Sequence, residues 1–300
     1  MKLCLGFFMV VLASLCADAE APLALAAFPS GRLIVVGSAG SLFTLDTAKS
    51  TSTLAPLTRQ LKFERYLHIA AATYQGAEFL VVAKDGSIEV YGVGGEAASA
   101  FATQLIPFAG PAGGLAVDST AATIYLSDAK KGEIWRMGLA GGSAARVAST
   151  KVFEQLGALA LGRGGKSLFV TDPIRGRVYE VALTGDTQIP FSTVADNPNS
   201  LRVLADPMGI AWHDKLGQVF VVDEHRDAVF RTSAQPSSLW ITFKRKQIYQ
   251  NLKLGDPVSV AVDSSDIVWV ADRETGNVLA FDPQSSNSVK RRLGLPAPAK

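Results

Sequence analysis

The chain has 300 residues, of which 48% are hydrophobic and 19% are charged. This composition excludes an intrinsically disordered chain, because disordered chains carry too little apolar material to bury in a core. The formal net charge of +2 provides no strong field for attracting nucleic acid, and we expect no nucleic-acid partner.

The N-terminus carries the pattern of a secretory signal peptide. Lys2 is followed by a mostly apolar run over residues 3–15 and by the small-residue pattern Ala17-Asp18-Ala19. The run is shorter than the roughly 20 residues that a spanning helix needs, so we expect no membrane span. We predict a signal peptide at 1–19, cleavage before Glu20, and a protein that is secreted or enters the lumen of the secretory pathway. Both cysteines lie in this segment, so we expect no disulfide in the mature protein.

After residue 20, one pattern recurs six times. Its marker is a turn residue, here called the turn position, which is Gly40, Gly86, Gly132, Gly176, Asp227 and Gly276 in successive copies. The spacings between these residues are 46, 46, 44, 51 and 49. A period of this length indicates a fold built from repeated supersecondary units.

Three further positions recur at fixed distances from the turn position. Two residues after it stand the branched residues Leu42, Ile88, Ile134, Val178, Val229 and Val278. Seven residues before it stand the bulky residues Leu33, Phe79, Tyr125, Phe169, Phe220 and Trp269. Sixteen residues before it stand Ala24, Ala70, Ala116, Ala160 and Ala211, with Ala261 displaced by one residue. Small side chains suit a first strand at a crowded central axis, and larger ones suit wedges that widen outwards.

Each copy has the composition of four short strands separated by Gly, Asp and Pro turns. In the third copy these strands are expected at 114–117, 123–126, 133–136 and 144–147. The repeat predicts an all-β fold, a six-bladed β-propeller of four-stranded blades over residues 20–295, with a disordered tail at 296–300. A fourth strand follows the third in every copy, so we expect the ring to close without exchanging a strand between the chain ends.

Specific blocks resemble the NHL and YWTD-like six-bladed propellers, and more loosely the gluconolactonase and strictosidine-synthase-like proteins. Examples are Gly114-Leu115-Ala116-Val117-Asp118 and Val260-Ala261-Val262-Asp263, and the resemblance covers about residues 21–293. It implies that calcium-dependent hydrolases of this group place Asn and Asp ligands just before the first strand of each blade. Here those positions are Ala21, Leu67, Gly113, Gly157, Met208 and Val258. None offers a side-chain oxygen, so we expect no metal and no cofactor, and we assign no catalytic residue.

Aspartate recurs four residues before the turn position in the last four copies, as Asp128, Asp172, Asp223 and Asp272. Carboxylates gathered at one face could bind metal or move protons. However, Asp at a strand end commonly accepts backbone hydrogen bonds in the adjoining turn. We therefore predict a structural role for these four residues, which Val36 and Val82 replace in the first two copies.

The loops between second and third strands carry most of the remaining functional candidates. Rigid blades hold such loops in a ring, where binding sites are common. The candidate binding face comprises Lys84, Lys130, Arg175, His225, Arg226 and Arg273. The candidates at the channel mouth are His68, Met208 and Glu20. His213 is expected near the opposite end of the channel.

These observations favour a non-catalytic, secreted or luminal, monomeric binding module that recognises a protein or glycan through one propeller face. One alternative is a lactonase-like or esterase-like hydrolase with a degenerate metal site that uses Glu20. Another is a structural subunit of a larger complex, because the fifth copy has the apolar stretch Leu239-Trp240-Ile241-Thr242-Phe243 on its outermost strand.

Overall fold

The structure is a computed structural model that describes residues 20–63, 67–84, 86–93, 100–149, 153–183, 191–193, 204–233, 239–244, 254–284 and 289–296. The predicted signal peptide at 1–19 and residues 297–300 of the predicted tail lie outside these ranges. The side chains of the apolar stretch at 239–243 also lie outside the described part. Within it, no helix is long and apolar enough to cross a bilayer.

The first half of the fold is three four-stranded sheets, each made of consecutive strands. Blade one is β1 (Pro22–Ala27), β2 (Arg32–Gly37), β3 (Ser41–Asp46) and β4 (Ala55–Gln60). Blade two is β5 (Leu67–Tyr74), β6 (Ala77–Lys84), β7 (Ser87–Gly92) and β8 (Ala100–Leu105). Blade three is β9 (Ala112–Asp118), β10 (Thr123–Asp128), β11 (Glu133–Gly138) and β12 (Ala145–Ser149).

The second half repeats this arrangement, with one 3-10 turn at Arg163–Gly165. Blade four is β13 (Leu159–Gly162), β14 (Ser167–Asp172), β15 (Arg177–Ala182) and β16 (Phe191–Thr193). Blade five is β17 (Pro207–His213), β18 (Gln218–Asp223), β19 (Ala228–Ser233) and β20 (Leu239–Lys244). Blade six is β21 (Pro257–Val262), β22 (Val268–Asp272), β23 (Asn277–Phe281) and β24 (Val289–Gly294).

All strand pairs within a blade are antiparallel, and the first strand of each blade contacts the first strands of its two neighbours. The six first strands therefore line a central axis, with β1 meeting β21 where the ring closes. The last strand, β24, pairs with β23 of its own blade. The predicted six-bladed propeller, and its closure without strand exchange, are confirmed.

The turn position has the backbone conformation that its glycines suggested. Gly40 has a φ of 86° and Gly132 a φ of 65°, in the left-handed region where a Cβ is disfavoured. Asp227 adopts a φ of 48° in the same region, which Asp tolerates better than most residues. The repeat in the sequence is thus a repeat of one tight turn between the second and third strands.

Neighbouring first strands approach so closely that larger side chains would not fit. A Cβ on Gly114 would lie 2.5 Å from the carbonyl oxygen of Gly157 in the next blade. The recurrent alanines Ala24, Ala116, Ala160, Ala211 and Ala261 are all buried. The size of the first-strand side chains is therefore set by crowding at the axis, as expected from the sequence.

The wedges between blades hold the core, and each apolar cluster draws residues from two adjacent blades. The bulky position seven residues before the turn position is buried in all six blades. Between blades four and five, the rings of Phe169 and Trp212 stack with centroids 4.8 Å apart. At the closure, Phe43 of blade one and Trp269 of blade six belong to one cluster, and Leu25 N donates to Ser259 Oγ at 3.2 Å. Side chains thus close the ring.

Candidate functional site

The six turns between second and third strands lie at one end of the propeller, together with the segments that lead into each first strand. We call this end the turn face. Every candidate residue of the predicted binding face belongs to these turns or to the strand ends that border them. The predicted channel-mouth residues lie at or just before the starts of first strands, at the same end.

The four recurrent aspartates are fully buried, and their carboxylates accept backbone hydrogen bonds. Asp272 accepts from Gly255 N at 2.7 Å, and from Asp256 N and Thr275 N at 3.1 Å each. Asp223 accepts from three backbone N–H groups in the same arrangement. Each of these two carboxylates therefore ties a turn to the segment that enters the blade. The predicted structural role in the turns is confirmed.

In blade one, where Val36 occupies the aspartate position, the Glu20 carboxylate accepts the hydrogen bonds from the turn. The Glu20 side chain is buried, and its carboxylate accepts from Ala39 N at 3.3 Å and from the hydroxyl of Ser41. A Cβ on Gly37 would collide with this carboxylate, so the glycine gives it room. The Glu20 carboxylate is thus engaged by the turn of blade one.

His68 joins two blades at the mouth of the channel. Its Nε2 lies 3.1 Å from the carbonyl oxygen of Ala112 in the next blade, and this nitrogen must carry the proton because a carbonyl only accepts. Desolvation lowers the pKa of His68 below its usual value, although the hydrogen bond to Ala112 opposes this. The imidazole is therefore neutral at pH 7 and fixed as the Nε2–H tautomer.

His213 is fully buried at the opposite end of its strand, as expected from the sequence. Its Nδ1 accepts from Leu216 N at 3.4 Å, and its Nε2 lies 3.3 Å from the carbonyl oxygen of Asp266. Both ring nitrogens are thus used by the local backbone. Among the described residues, no three His, Cys, Asp or Glu side chains come close enough together to hold a metal ion.

The turn face also exposes two large apolar side chains on neighbouring blades. Met208, near the start of β17, is 43% exposed, and Ile174, in the turn of blade four, is 45% exposed. Single exposed apolar residues are common on soluble proteins. Two of them on adjacent blades, among charged turns, make this sector a candidate for contact with a partner. The most exposed large apolar side chain among the described residues, Leu105 at 81%, ends β8 at the same end of the propeller.

The charged candidates differ in how freely they could reach a partner. Lys84 is only 13% exposed, because its ammonium lies 2.9 Å from Glu89 and donates to Lys62 O at 2.8 Å. Lys130 and His225 are exposed, and within the described residues neither side chain has a hydrogen bond or ion pair. The exposed side chains of Lys130 and His225 are therefore more accessible to a partner than that of Lys84, although His225 also interacts electrostatically with Asp206.

Arg273 links blades five and six. It donates from Nη2 to Glu224 at 2.6 Å and from Nε to Asp256 at 2.7 Å. Partial burial opposes its charge, but these two carboxylates raise its pKa above the ordinary value. Burial, followed by the nearby carboxylates of Glu224 and Asp223, raises the pKa of Asp206 at the same boundary. The charged side chains at the boundary of blades five and six therefore form a cluster with a fixed geometry.

Sequence reasoning missed Asp206 and Asp256, which enter this cluster from the segments before the first strands. A signal was present, because both precede a proline that begins the first strand, as Asp206-Pro207 and Asp256-Pro257. Their backbone N–H groups bind the recurrent aspartates of blades five and six in matching ways. Alignment of the fifth and sixth copies on this Asp-Pro pair would have placed them on the turn face.

Two further candidates lie near this cluster, Arg175 at intermediate exposure and Arg226 exposed. Arg175 has its Nε 3.6 Å from Glu154, and Arg226 has its Nε 3.9 Å from the buried Asp223. Both contacts are long for ion pairs, and exposed pairs of this kind contribute little to stability. The turn face therefore combines the charged cluster at the boundary of blades five and six with further charged side chains on the adjacent turns.

Comparison with known proteins identifies the architecture. No protein-family model matches the sequence, and no curated protein matches it. Similar solved structures include virginiamycin B lyase from Staphylococcus aureus, with 13% identity over 92% of this chain and 84% of that one and a TM-score of 0.57. A protein of unknown function from Bacteroides thetaiotaomicron VPI-5482 has 14% identity over 85% of this chain and 67% of that one, with a TM-score of 0.65.

A third similar structure is a chain of the nidogen–laminin complex, with 19% identity over 72% of this chain and 93% of that one and a TM-score of 0.50. At these identities the likeness concerns the fold. Together with six blades of four strands, it agrees with the resemblance found in the sequence. By fold, the chain is a six-bladed β-propeller.

Proposed function

We propose that the protein is a non-catalytic binding module, secreted or luminal, which recognises a protein partner through the turn face around blades three to six. The observation that carries this proposal is the combination of exposed Met208 and Ile174 with charged side chains on adjacent turns. An apolar centre with a polar rim is the usual anatomy of a protein interface, in which Met and Arg are enriched. A glycan is the alternative ligand for the same face.

The chemistry of the other turn-face groups supports binding over catalysis. Asp272, Asp223 and Glu20 accept hydrogen bonds from backbone N–H groups and a hydroxyl. Among the described residues, Oδ2 of the buried Asp128 has no hydrogen-bond partner. Arg273 is held by two carboxylates, so this cluster presents a rigid polar surface to a partner at little entropic cost. One structure of similar fold was determined within a nidogen–laminin complex, that is, with a protein partner. Another is a lyase, so the fold itself serves both kinds of function.

The test is capture of partners from the organism's own extracellular or luminal fraction with the tagged protein beginning at Glu20. Lys130→Glu reverses an exposed charge on the turn face, and Lys166→Glu reverses an exposed charge at the opposite end of the propeller, as a matched control. We expect Lys130→Glu to weaken capture of a specific partner and Lys166→Glu to leave it unchanged. Equal capture by both variants would contradict recognition through the turn face.

The hydrolase alternative makes a different prediction. Stoichiometric calcium by elemental analysis, together with esterase or lactonase turnover that depends on it, would contradict a binding module. The neutral His68 is the described residue best suited to serve as a base in such an enzyme. His68→Gln would then abolish turnover while leaving partner capture unaffected.

A further inference from the structure

A second site lies away from the turn face, in the wedge between blades one and two. A cavity of about 790 Å³ opens there. Its inner wall is apolar and includes Ile34, Leu42, Leu80 and Tyr91, all of them buried. Its rim carries polar side chains from the start of β2 and the end of β3, which is the end of the blade opposite the turn face.

The outer strand of blade one explains why this wedge is open. Ser41 pairs with Gln60 and Phe43 pairs with Pro56, so β4 places two extra residues in this interval. In blade three, by comparison, the bulge between Ile134 and Trp135 adds a single residue. Pro56 also lacks a backbone N–H with which to continue the ladder. The outer strand of blade one is therefore displaced from the regular pairing.

The next wedge shows how the same space is closed elsewhere. Between blades two and three, the side chain of Gln104 donates to Gly138 O at 3.2 Å and to Leu139 O at 3.4 Å, which bridges the outer opening. Leu139 is fully buried there. Its counterpart beside the cavity is Val93, which makes the same backbone hydrogen bond but is smaller and only half-buried.

The charges at the rim of the cavity are matched within the protein. Arg32 lies 3.7 Å from Glu78 and also donates to Val93 O at 2.7 Å. Asp46 lies 3.0 Å from Lys49. Among the described residues that line the cavity, both charged side chains, Arg32 and Asp46, thus have a counterion within the protein. The remaining polar groups, such as Thr44, offer hydroxyl oxygens at the edge of an apolar pocket.

We propose that the cavity between blades one and two binds an uncharged, mainly apolar small molecule with hydrogen-bonding groups at one end. The volume lies within the range of small-molecule pockets, which is roughly 300–1,000 Å³. The apolar inner wall takes the body of the ligand, and the hydroxyl-bearing rim takes its polar end. This site is independent of the turn face, and the protein thereby has two ligand surfaces at opposite ends.

The test uses two fluorescent probes that share one ring system. N-phenyl-1-naphthylamine is neutral, whereas 8-anilino-1-naphthalenesulfonate adds one negative charge. We expect the neutral probe to bind saturably at one site per chain, and the anionic probe to bind about tenfold more weakly. Glu78→Gln removes the carboxylate beside Arg32 and should bring the affinity for the anionic probe close to that for the neutral one.

Two tryptophan substitutions test the location of the site, one inside the cavity and one at a control position outside it. Thr44→Trp places an indole in the cavity and should lower the affinity for the neutral probe at least about tenfold. Arg136→Trp makes the same change at the equivalent, exposed position of blade three and should leave binding unchanged. Leu57→Trp fills the cavity from the outer strand and replaces Thr44→Trp if that variant fails to fold.

Three results would overturn the proposal: no saturable binding of the neutral probe, equal binding by the filled variants and the wild type, or tighter binding of the anionic probe. A crystal structure of the wild type with the neutral probe locates the site without any variant. Electron density for the probe between blades one and two supports the proposal. Density elsewhere contradicts it.

Discussion

The guanidinium carbon of Arg291, on the outermost strand of blade six, lies 5.6 Å from the centre of the Trp269 ring. The same guanidinium reaches blade one, where it donates to Lys49 O at 3.1 Å and to Ser52 O. Arg291 therefore joins the last blade to the first from the outside, while the apolar cluster around Trp269 joins them from within.

Replacement of Arg291 by alanine should weaken this closure. It removes two hydrogen bonds from a charged donor and a cation–π contact, so we expect the free energy of unfolding to fall by about 2 kcal/mol. Lys290→Ala is the control, because it removes only an exposed contact to Asp282 at 3.6 Å. Urea unfolding measures both. Equal effects of the two substitutions would show that Arg291 does not contribute specifically to closure.

Replacement of Asp272 by alanine should lower the free energy of unfolding more than the Arg291→Ala substitution does. It takes the Asp272 acceptor from three backbone N–H groups, one in a buried and two in partly buried hydrogen bonds, and we expect a loss of about 3 kcal/mol in urea unfolding. Asp118→Ala serves as the comparison, since Asp118 also accepts two backbone hydrogen bonds but in a partly exposed turn. A loss for Asp272→Ala no greater than that for Asp118→Ala would contradict the role assigned to the recurrent aspartates.

Glu20 should be required for the order of the first turn. In Glu20→Ala, the amide of Ala39 loses the Glu20 carboxylate as an acceptor, and we expect its hydrogen exchange to accelerate roughly tenfold, which corresponds to about 1.4 kcal/mol. Glu20→Gln keeps a carbonyl oxygen in place and should retain most of the protection. Unchanged exchange at Ala39 in Glu20→Ala would mean that the carboxylate contact does not hold the turn.

The lowered pKa of His68 predicts that the stability of the fold depends on pH. Its pKa in the folded protein is lowered from 6.5 by desolvation, so the unfolded chain binds the proton more readily than the folded one. The stabilisation is complete above the unfolded pKa of 6.5 and is lost as the pH falls from there towards the folded pKa. His68→Gln keeps an N–H donor for Ala112 O and should show a smaller loss of stability between pH 7 and pH 5. Identical pH profiles would contradict this assignment.

The raised pKa of Asp206 predicts that its negative charge lowers stability at neutral pH. Its pKa is raised from the ordinary value of 3.8, first by burial and then by Glu224 and Asp223, so its ionised form destabilises the fold. Asp206→Asn should therefore be more stable than the wild type at pH 7, and this gain should disappear as the pH falls through the folded pKa to 3.8. Thermal unfolding across this range measures the difference. A gain that persists at low pH would have a cause other than charge.

The fold could be predicted because each repeated position is limited by one local structural requirement, either a backbone conformation or the space for a side chain. The turn position requires a positive φ, which glycine and Asp227 supply. The first strand requires small side chains, as the space around Gly114 shows. Constraints that recur six times are visible in the sequence alone, even without a relative of similar sequence.

The contacts between blades could not be predicted in this way. Arg273 and Glu224 are 49 residues apart, and their pairing depends on how far one blade is rotated against the next. The cavity between blades one and two depends on an irregular register around Pro56, which breaks the repeat. A pattern that detects what the six copies share does not detect where one copy departs from the others.

Closure without a shared strand has a consequence for how such a ring evolves. Every blade here is encoded by one uninterrupted stretch of chain, and its strand ladder is complete before the next blade begins. Duplication or deletion of a single stretch would therefore leave all other ladders intact, and only the angle between neighbours would have to adjust. In this architecture the number of blades can change in whole steps, without coordinated changes at the two ends of the gene.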